Sequence, residues 1–258
     1  VRKEIVQAVA VILVVSVLST LVALPAVPVV TTASASGSAI TLSLLILLAI
    51  VLGGVLTFLA VKRYPQLLRI FTTLATSFLI FMAILINGLI FAATSSLPSS
   101  ILVLLFVGLA AAIAVWSTTS PYSTLRVIIV AWSAGTLFSL LLGYSISLLL
   151  VALLTIYDCI AVLTGYLPQL AERVEVEHAG LGIEVGELWL GGGDLIFYST
   201  TAAAMALHYG FSLGLASAIS IAGGAALTIF LTRYEEALPG LPIPILCGIV
   251  IPLASFAL

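Results

Sequence analysis

Apolar residues along this chain come in long blocks, each closed by a short cluster of Pro, Gly, Ser or charged residues. Most blocks reach the length of about 20 residues that a helix needs to cross a roughly 30 Å hydrocarbon core. The pattern predicts nine membrane-spanning helices, over about 5–24, 40–61, 68–93, 101–119, 124–142, 144–167, 190–208, 211–231 and 243–258. The expected fold is therefore all-α and polytopic. Two breaks are very short: Leu142-Gly143-Tyr144 separates the fifth and sixth spans, and Tyr209-Gly210 the seventh and eighth. The first span opens with Arg2 and Lys3. It is longer than the apolar core of a secretory leader and many spans follow it, so it is expected to be a retained helix.

The longest polar stretch connects the sixth and seventh spans, about 169–189, and holds Glu172, Arg173, Glu175, Glu177, Glu184 and Glu187. Within it, 174–177 and 183–185 alternate apolar and polar residues around the turn formers His178-Ala179-Gly180-Leu181-Gly182. The stretch reads either as a solvated loop or as a short β-hairpin whose edge could pair with an extended peptide. His178 reads as a surface residue.

Composition narrows the class. The chain is 63% hydrophobic and only 7% charged, against about 25% charged in soluble domains. Its net charge of −2 and scattered cations offer no basic face, so nucleic acid is not an expected partner. All eight basic residues (Arg2, Lys3, Lys62, Arg63, Arg69, Arg126, Arg173 and Arg233) fall in or beside one alternating set of loops. The excess of Lys and Arg on the cytoplasmic side of membranes then puts the N-terminus and the 169–189 connection inside, and the C-terminus outside. Cys159 and Cys247 lie far apart in apolar runs and read as plain buried thiols. Neither His178 nor His208 accompanies a zinc-binding HExxH or a GxSG serine motif. No metal or cofactor is expected, and His208 reads as an interfacial residue.

The chain's two aspartates both fall in or at the edge of spans, whereas its eight glutamates lie in polar segments or at span ends. A carboxylate within a bilayer costs roughly 2.5–3.5 kcal/mol on insertion scales, so Asp158 and Asp194 are functional candidates by default. Asp158 stands ten residues before Pro168, about 15 Å from the cytoplasmic end of its span. Asp194 follows Gly191, Gly192 and Gly193 at the start of the next span. Consecutive antiparallel helices usually pack together, and the small residues Thr155, Ala161 and Gly165 on the Asp158 side suit a close contact or water access. Two adjacent carboxyls share a proton, which supplies a general base and a general acid in one site. Such a pair activates water against a peptide carbonyl without a metal. Two other readings use the same residues: protonated interior acids that stabilise packing, and a proton-coupled transporter or channel. No internal repeat favours the transporter.

Tyr157-Asp158 and Gly191-Gly192-Gly193-Asp194 resemble the YD and GxGD motifs of the presenilin and signal peptide peptidase family. Pro239-Gly240-Leu241 is similar to that family's PAL element, with Gly240 where the family has alanine. The resemblance covers the chain from about Tyr144 onward; the first five spans match only as a scaffold. It divides the chain into a scaffold, 1–143, and a catalytic part, 144–258. It implies an intramembrane aspartyl endopeptidase acting on transmembrane protein substrates in a lipid bilayer, with Asp158 and Asp194 as the dyad. It gives Tyr157 an orienting role, and Pro239, Gly240 and Leu241 a place beside the dyad, shaping the substrate cleft. The orientation read from the basic residues matches presenilins, since signal peptide peptidases are inverted. The short loops look like those of a compact microbial or archaeal relative. Oligomeric state is left open.

Overall fold

The structure, a computed structural model, describes residues 2–23, 48, 52, 65–94, 99–119, 123–164, 182–185, 188–232 and 238–257. Nearly all of the expected span 40–61, and residues 169–181 of the polar connection with His178, lie outside them. The described elements run α1 (Arg2–Ala23), α2 (Pro65–Thr94), α3 (Ser99–Thr119), α4 (Ser123–Leu163), β1 (Gly182–Val185), β2 (Leu188–Gly191), α5 (Gly192–Tyr209), α6 (Phe211–Leu231) and α7 (Pro242–Ala257). Lys3–Leu21, Thr124–Leu163 and Phe211–Leu231 are long and apolar enough to cross a membrane.

A straight helix of the 41 residues of α4 would be about 60 Å long, twice the hydrocarbon core. It is not straight. Gly143 adopts φ 70° and ψ 174°, a conformation open to glycine and strained for residues with a Cβ. Ser147 Oγ donates to the Phe138 carbonyl at 3.4 Å, across nine residues, which a continuous helix would hold far apart. The chain therefore doubles back at Gly143. Its arms, 123–142 and 144–163, are the expected fifth and sixth spans.

Burial differs from that of a water-soluble protein in two ways: hydroxyl-bearing residues join the apolar core, and large apolar side chains stand on the outer surface. Ser19, Thr20, Ser139, Ser199, Thr200 and Thr201 are fully buried, while Leu104 and Leu141 are 72% and 70% exposed. Lipid tails give large apolar side chains no reason to leave the surface, so helices in a bilayer pack through small and hydroxyl-bearing residues. Most of these hydroxyls bond a carbonyl one turn back, as Thr20 Oγ1 does to Ser16 at 3.0 Å and Thr201 Oγ1 to Phe197 at 2.9 Å. Others tie helices together: Ser139 Oγ reaches the Thr200 carbonyl at 2.8 Å, and Ser19 bonds Ser199. A methyl at Gly135 would overlap Ser199, so α4 and α5 touch backbone to backbone there.

Helix α5 is the axis of the fold. Every residue from Phe197 to Leu207 on it is buried, with α1, α4, α6 and α7 packed around it. The pair α2–α3 stands apart, packed on itself and on α4.

Among the described residues there is one departure from all-helical structure. Strands β1 and β2 pair antiparallel, with Gly182 opposite Gly191, Ile183 opposite Leu190, Glu184 opposite Trp189 and Val185 opposite Leu188. Alternation turns Ile183 and Val185 inward, 2% and 7% exposed, against a core that includes Ile12, Leu150, Leu154 and Leu195. Each such burial is worth about 2 kcal/mol. Within the connection, residues 182–185 and 188–189 are therefore docked strand and no solvated loop. The expected strand 183–185 is present and its described partner is 188–191; the other expected strand, 174–177, and the expected turn at 178–181 lie outside the described residues. Pairing also takes Leu190 and Gly191 from the expected seventh span, so α5 begins at Gly192.

Candidate active site

Three elements bring their chemistry to one place. The second arm of α4 carries Asp158, the first turn of α5 carries Asp194, and residues 238–241 form the irregular entry to α7. An acidic residue suits the first turn of a helix, and Pro242 starts α7 where its missing N–H costs nothing. Asp158 and Asp194, both half-buried, line one open cleft of about 270 Å³. Its walls are otherwise mostly apolar: Ile12 from α1, Val162, Leu190, Gly191, Leu195, Tyr198, Ala225, Thr228, Ile229, Thr232, Leu238 and Gly240.

The Gly240–Leu241 link is bonded from two sides. The Leu241 N–H donates to Asp158 Oδ2 at 3.0 Å, and the Tyr198 hydroxyl donates to the Gly240 carbonyl at 2.8 Å. Asp194 approaches the same turn. A Cβ added to Gly240 would stand 2.6 Å from Asp194 Oδ2 and 3.2 Å from its Cγ, and one on Gly191 would stand 3.3 Å from Oδ2. The absent methyl at Gly240 is thus the space that the Asp194 carboxyl uses. Two carboxyls facing one apolar cleft, with a fixed backbone donor on one of them, suit general acid–base work on a bond held between them.

Of the residues singled out in the sequence, the structure brings together Asp158, Asp194, Gly191 and Gly240 in the cleft wall, with Leu241 buried directly behind at 4% exposure. Pro239 is half-buried in the same turn. Gly192 and Gly193 belong to the first turn of α5 and are not among the lining residues. Tyr157 is 38% exposed and is likewise not among them; one residue before Asp158, it leaves the helix about 100° away from it. Thr155 bonds the Val151 carbonyl at 2.8 Å, Ala161 is buried, and Gly165 lies outside the described residues. Cys159 and Cys247 are free and half-buried, and His208 is exposed at the far end of α5.

The tyrosine that meets the site is Tyr198, 4% exposed, which the sequence reading passed over. Its spacing of four from Asp194 puts both on one helix face, as Val162 shares a face with Asp158. A buried phenol also needs a hydrogen-bond partner. Nothing in the sequence points to Ile12.

Known proteins match along the same lines. A family model described as Presenilin matches residues 169–258. A presenilin-like protein of Arabidopsis thaliana is 36% identical over 85 residues, 32% of this chain and 21% of that protein, so the match spans about a fifth of the relative's length. Two solved structures of a presenilin family intramembrane aspartate protease superpose on the chain. One, in space group C222, has a TM-score of 0.66 at 19% identity and covers 98% of each chain. The other, in space group P2, has a TM-score of 0.62 at 18% identity and covers 96% of each. By sequence over residues 169–258, and by fold over nearly its whole length, this polytopic membrane protein is presenilin-like.

Proposed function

We propose that the chain is an intramembrane aspartyl endopeptidase that cleaves peptide bonds within transmembrane segments of other membrane proteins, with Asp158 and Asp194 as its dyad. The observation that carries this reading is that the only two aspartates of the chain, on different helices, line the same cleft. The presenilin-like fold supports it.

In the reaction, one carboxylate takes a proton from water as the water oxygen attacks the substrate carbonyl carbon. The other carboxyl, protonated, gives its proton to the carbonyl oxygen. The resulting diol collapses: the C–N bond breaks, the nitrogen leaves with the proton held by the first carboxyl, and a hydroxyl proton returns to the second. Both groups end as they began. A helical peptide bond is shielded by its own hydrogen bonds, so the substrate unwinds before attack. Its unwound segment adds to an edge of the β1–β2 hairpin, which leads directly into the dyad helix. Tyr157, Gly192, Gly193 and Pro239 shape the approach to the cleft.

The distribution of basic residues supports a cytoplasmic N-terminus and 169–189 connection and an outer C-terminus, with substrates entering N-terminus outside. Water then reaches the dyad from the cytoplasmic face. Residues 144–258 carry the chemistry and 1–143 act as scaffold, with Ile12 as the scaffold's contribution to the cleft wall. The test reconstitutes the purified chain in lipid vesicles with a single-span reporter beside Asp158→Ala and Asp194→Ala. The wild type is expected to cut and both variants to be silent. Cleavage by either variant defeats the dyad, and proton-driven solute uptake without proteolysis defeats the protease.

A further inference from the structure

We propose that Tyr198 is a positioning residue: through the Gly240–Leu241 peptide it holds the Asp158 carboxyl in place relative to Asp194. The role in catalysis rests on the protease reading above; the mechanical role rests on geometry alone.

The two bonds at this turn belong to one peptide unit. Its carbonyl oxygen, on Gly240, accepts from the Tyr198 hydroxyl at 2.8 Å, and its N–H, on Leu241, donates to Asp158 Oδ2 at 3.0 Å. The chain has no cis peptide bond among the described residues. A trans peptide is planar and rigid, with C=O and N–H pointing in opposite directions. Fixing the oxygen therefore fixes where the hydrogen points. The unit acts as a strut from α5, at Tyr198, to α4, at Asp158.

The strut's other ties lie on its Leu241 side, where the Ile245 N–H donates to the Leu241 carbonyl at 3.0 Å and the side chain is 4% exposed. The strut lies outside regular secondary structure, next to a glycine, and the flanking Pro239 and Pro242 have no N–H to anchor it. Tyr198 is the opposite kind of residue. It is 4% exposed on the most buried of the described helices, one turn after Asp194. The same helix thus carries one carboxyl directly and sets the other through a rigid intermediary. A phenol on a packed helix is a better anchor than the turn's own backbone.

Tyr198→Phe removes one oxygen and keeps the ring packing. Two readouts are taken on the purified full-length chain in lipid vesicles: amide hydrogen exchange over 239–244, and cleavage of the single-span reporter. Pro239, Pro242 and Pro244 carry no N–H, so only Gly240, Leu241 and Ile243 report in that fragment. Exchange at Leu241 is expected to accelerate while the rest of α5 and α7 exchanges as in the wild type. The reporter's kcat is expected to fall between about 10- and 100-fold, the scale of a small misplacement of reacting groups. KM should stay within about twofold, because only a transition-state arrangement is lost. Unchanged Leu241 exchange overturns the strut. Faster exchange with unchanged kcat overturns the positioning role, and faster exchange throughout α5 and α7 assigns Tyr198 to stability only. If the wild type cuts nothing, the protease reading and with it the catalytic role fail, while exchange at Leu241 still decides the strut.

Discussion

The two ends of α5 are built on opposite principles. At its N-terminal end, Asp194 opens onto a cleft, and the neighbouring backbone turns its N–H toward Asp158. At its C-terminal end, aromatic rings gather beside the last turn. Tyr144 stacks on His208 with centroids 4.2 Å apart and planes 10° apart, and Tyr209 meets both rings edge-on at 5.5 and 4.6 Å. The Tyr144 hydroxyl donates to that of Tyr209 at 3.4 Å. Amphipathic rings are the residues that settle at a membrane–water boundary. One helix therefore carries a working end, which borders a cleft, and an anchoring end, where aromatic rings stack on one another. Activity and stability should separate along it.

The largest effects are expected at the working end. Asp158→Asn and Asp194→Asn keep shape and lose proton transfer, so reporter cleavage should fall by about 10³-fold or more with little change in melting temperature. Equal losses of stability and activity would erase the contrast between the ends. Next comes the hairpin beneath that end. Ile183→Asp puts a charge where the side chain is 2% exposed, and should cost about 3 kcal/mol, seen as a lower melting temperature together with reduced cleavage. A normal melting curve would mean that the hairpin is not docked. Gly240→Ala is subtler. Its methyl would stand 2.6 Å from Asp194 Oδ2, and that carboxyl must rotate to admit it. Cleavage should drop about tenfold in a protein that melts normally. The smallest effect on activity belongs to the anchoring end. Tyr144→Ala and His208→Ala each remove an aromatic contact worth about 1 kcal/mol, so the melting temperature should fall by about 2–4 °C while cleavage stays at the wild-type level.

What could be read from the sequence follows how local each determinant is. Helices over 68–93, 101–119 and 211–231 were visible because an apolar run between polar breaks is a property of neighbouring residues, and the observed helices agree within a few residues. Gly143 was visible as a break because the turn needs a positive φ. The aspartates stood out because intramembrane acids are costly. The pairing of 183–185 with 188–191 was not legible: Leu188-Trp189-Leu190 shows no alternation, and the pairing comes from the closeness of the two strands in sequence together with the core waiting for Ile183 and Val185. Tyr198 was hidden for a related reason. Its partner, the Gly240 carbonyl, is 42 residues away, and only the packing of α7 against α5 brings the two together. Nothing in the sequence linked Gly240 to Asp194, whereas in the fold the missing methyl makes room for that carboxyl.

The reversal at Gly143 bears on how the protein enters a bilayer in the first place. Its turn carries no charged residue, and within the two arms of α4 an 18-residue stretch reaches a mean hydropathy of 2.5, so they can partition together as one helical hairpin with no polar loop to translocate. The arm 144–163 holds eleven Leu, Ile and Val residues beside Asp158. At about 0.3–0.6 kcal/mol each, they favour insertion by roughly 3–7 kcal/mol, against about 3 for the acid. The same leucine-rich run that looks like mere filler is what allows a carboxyl group to be delivered to the middle of a membrane.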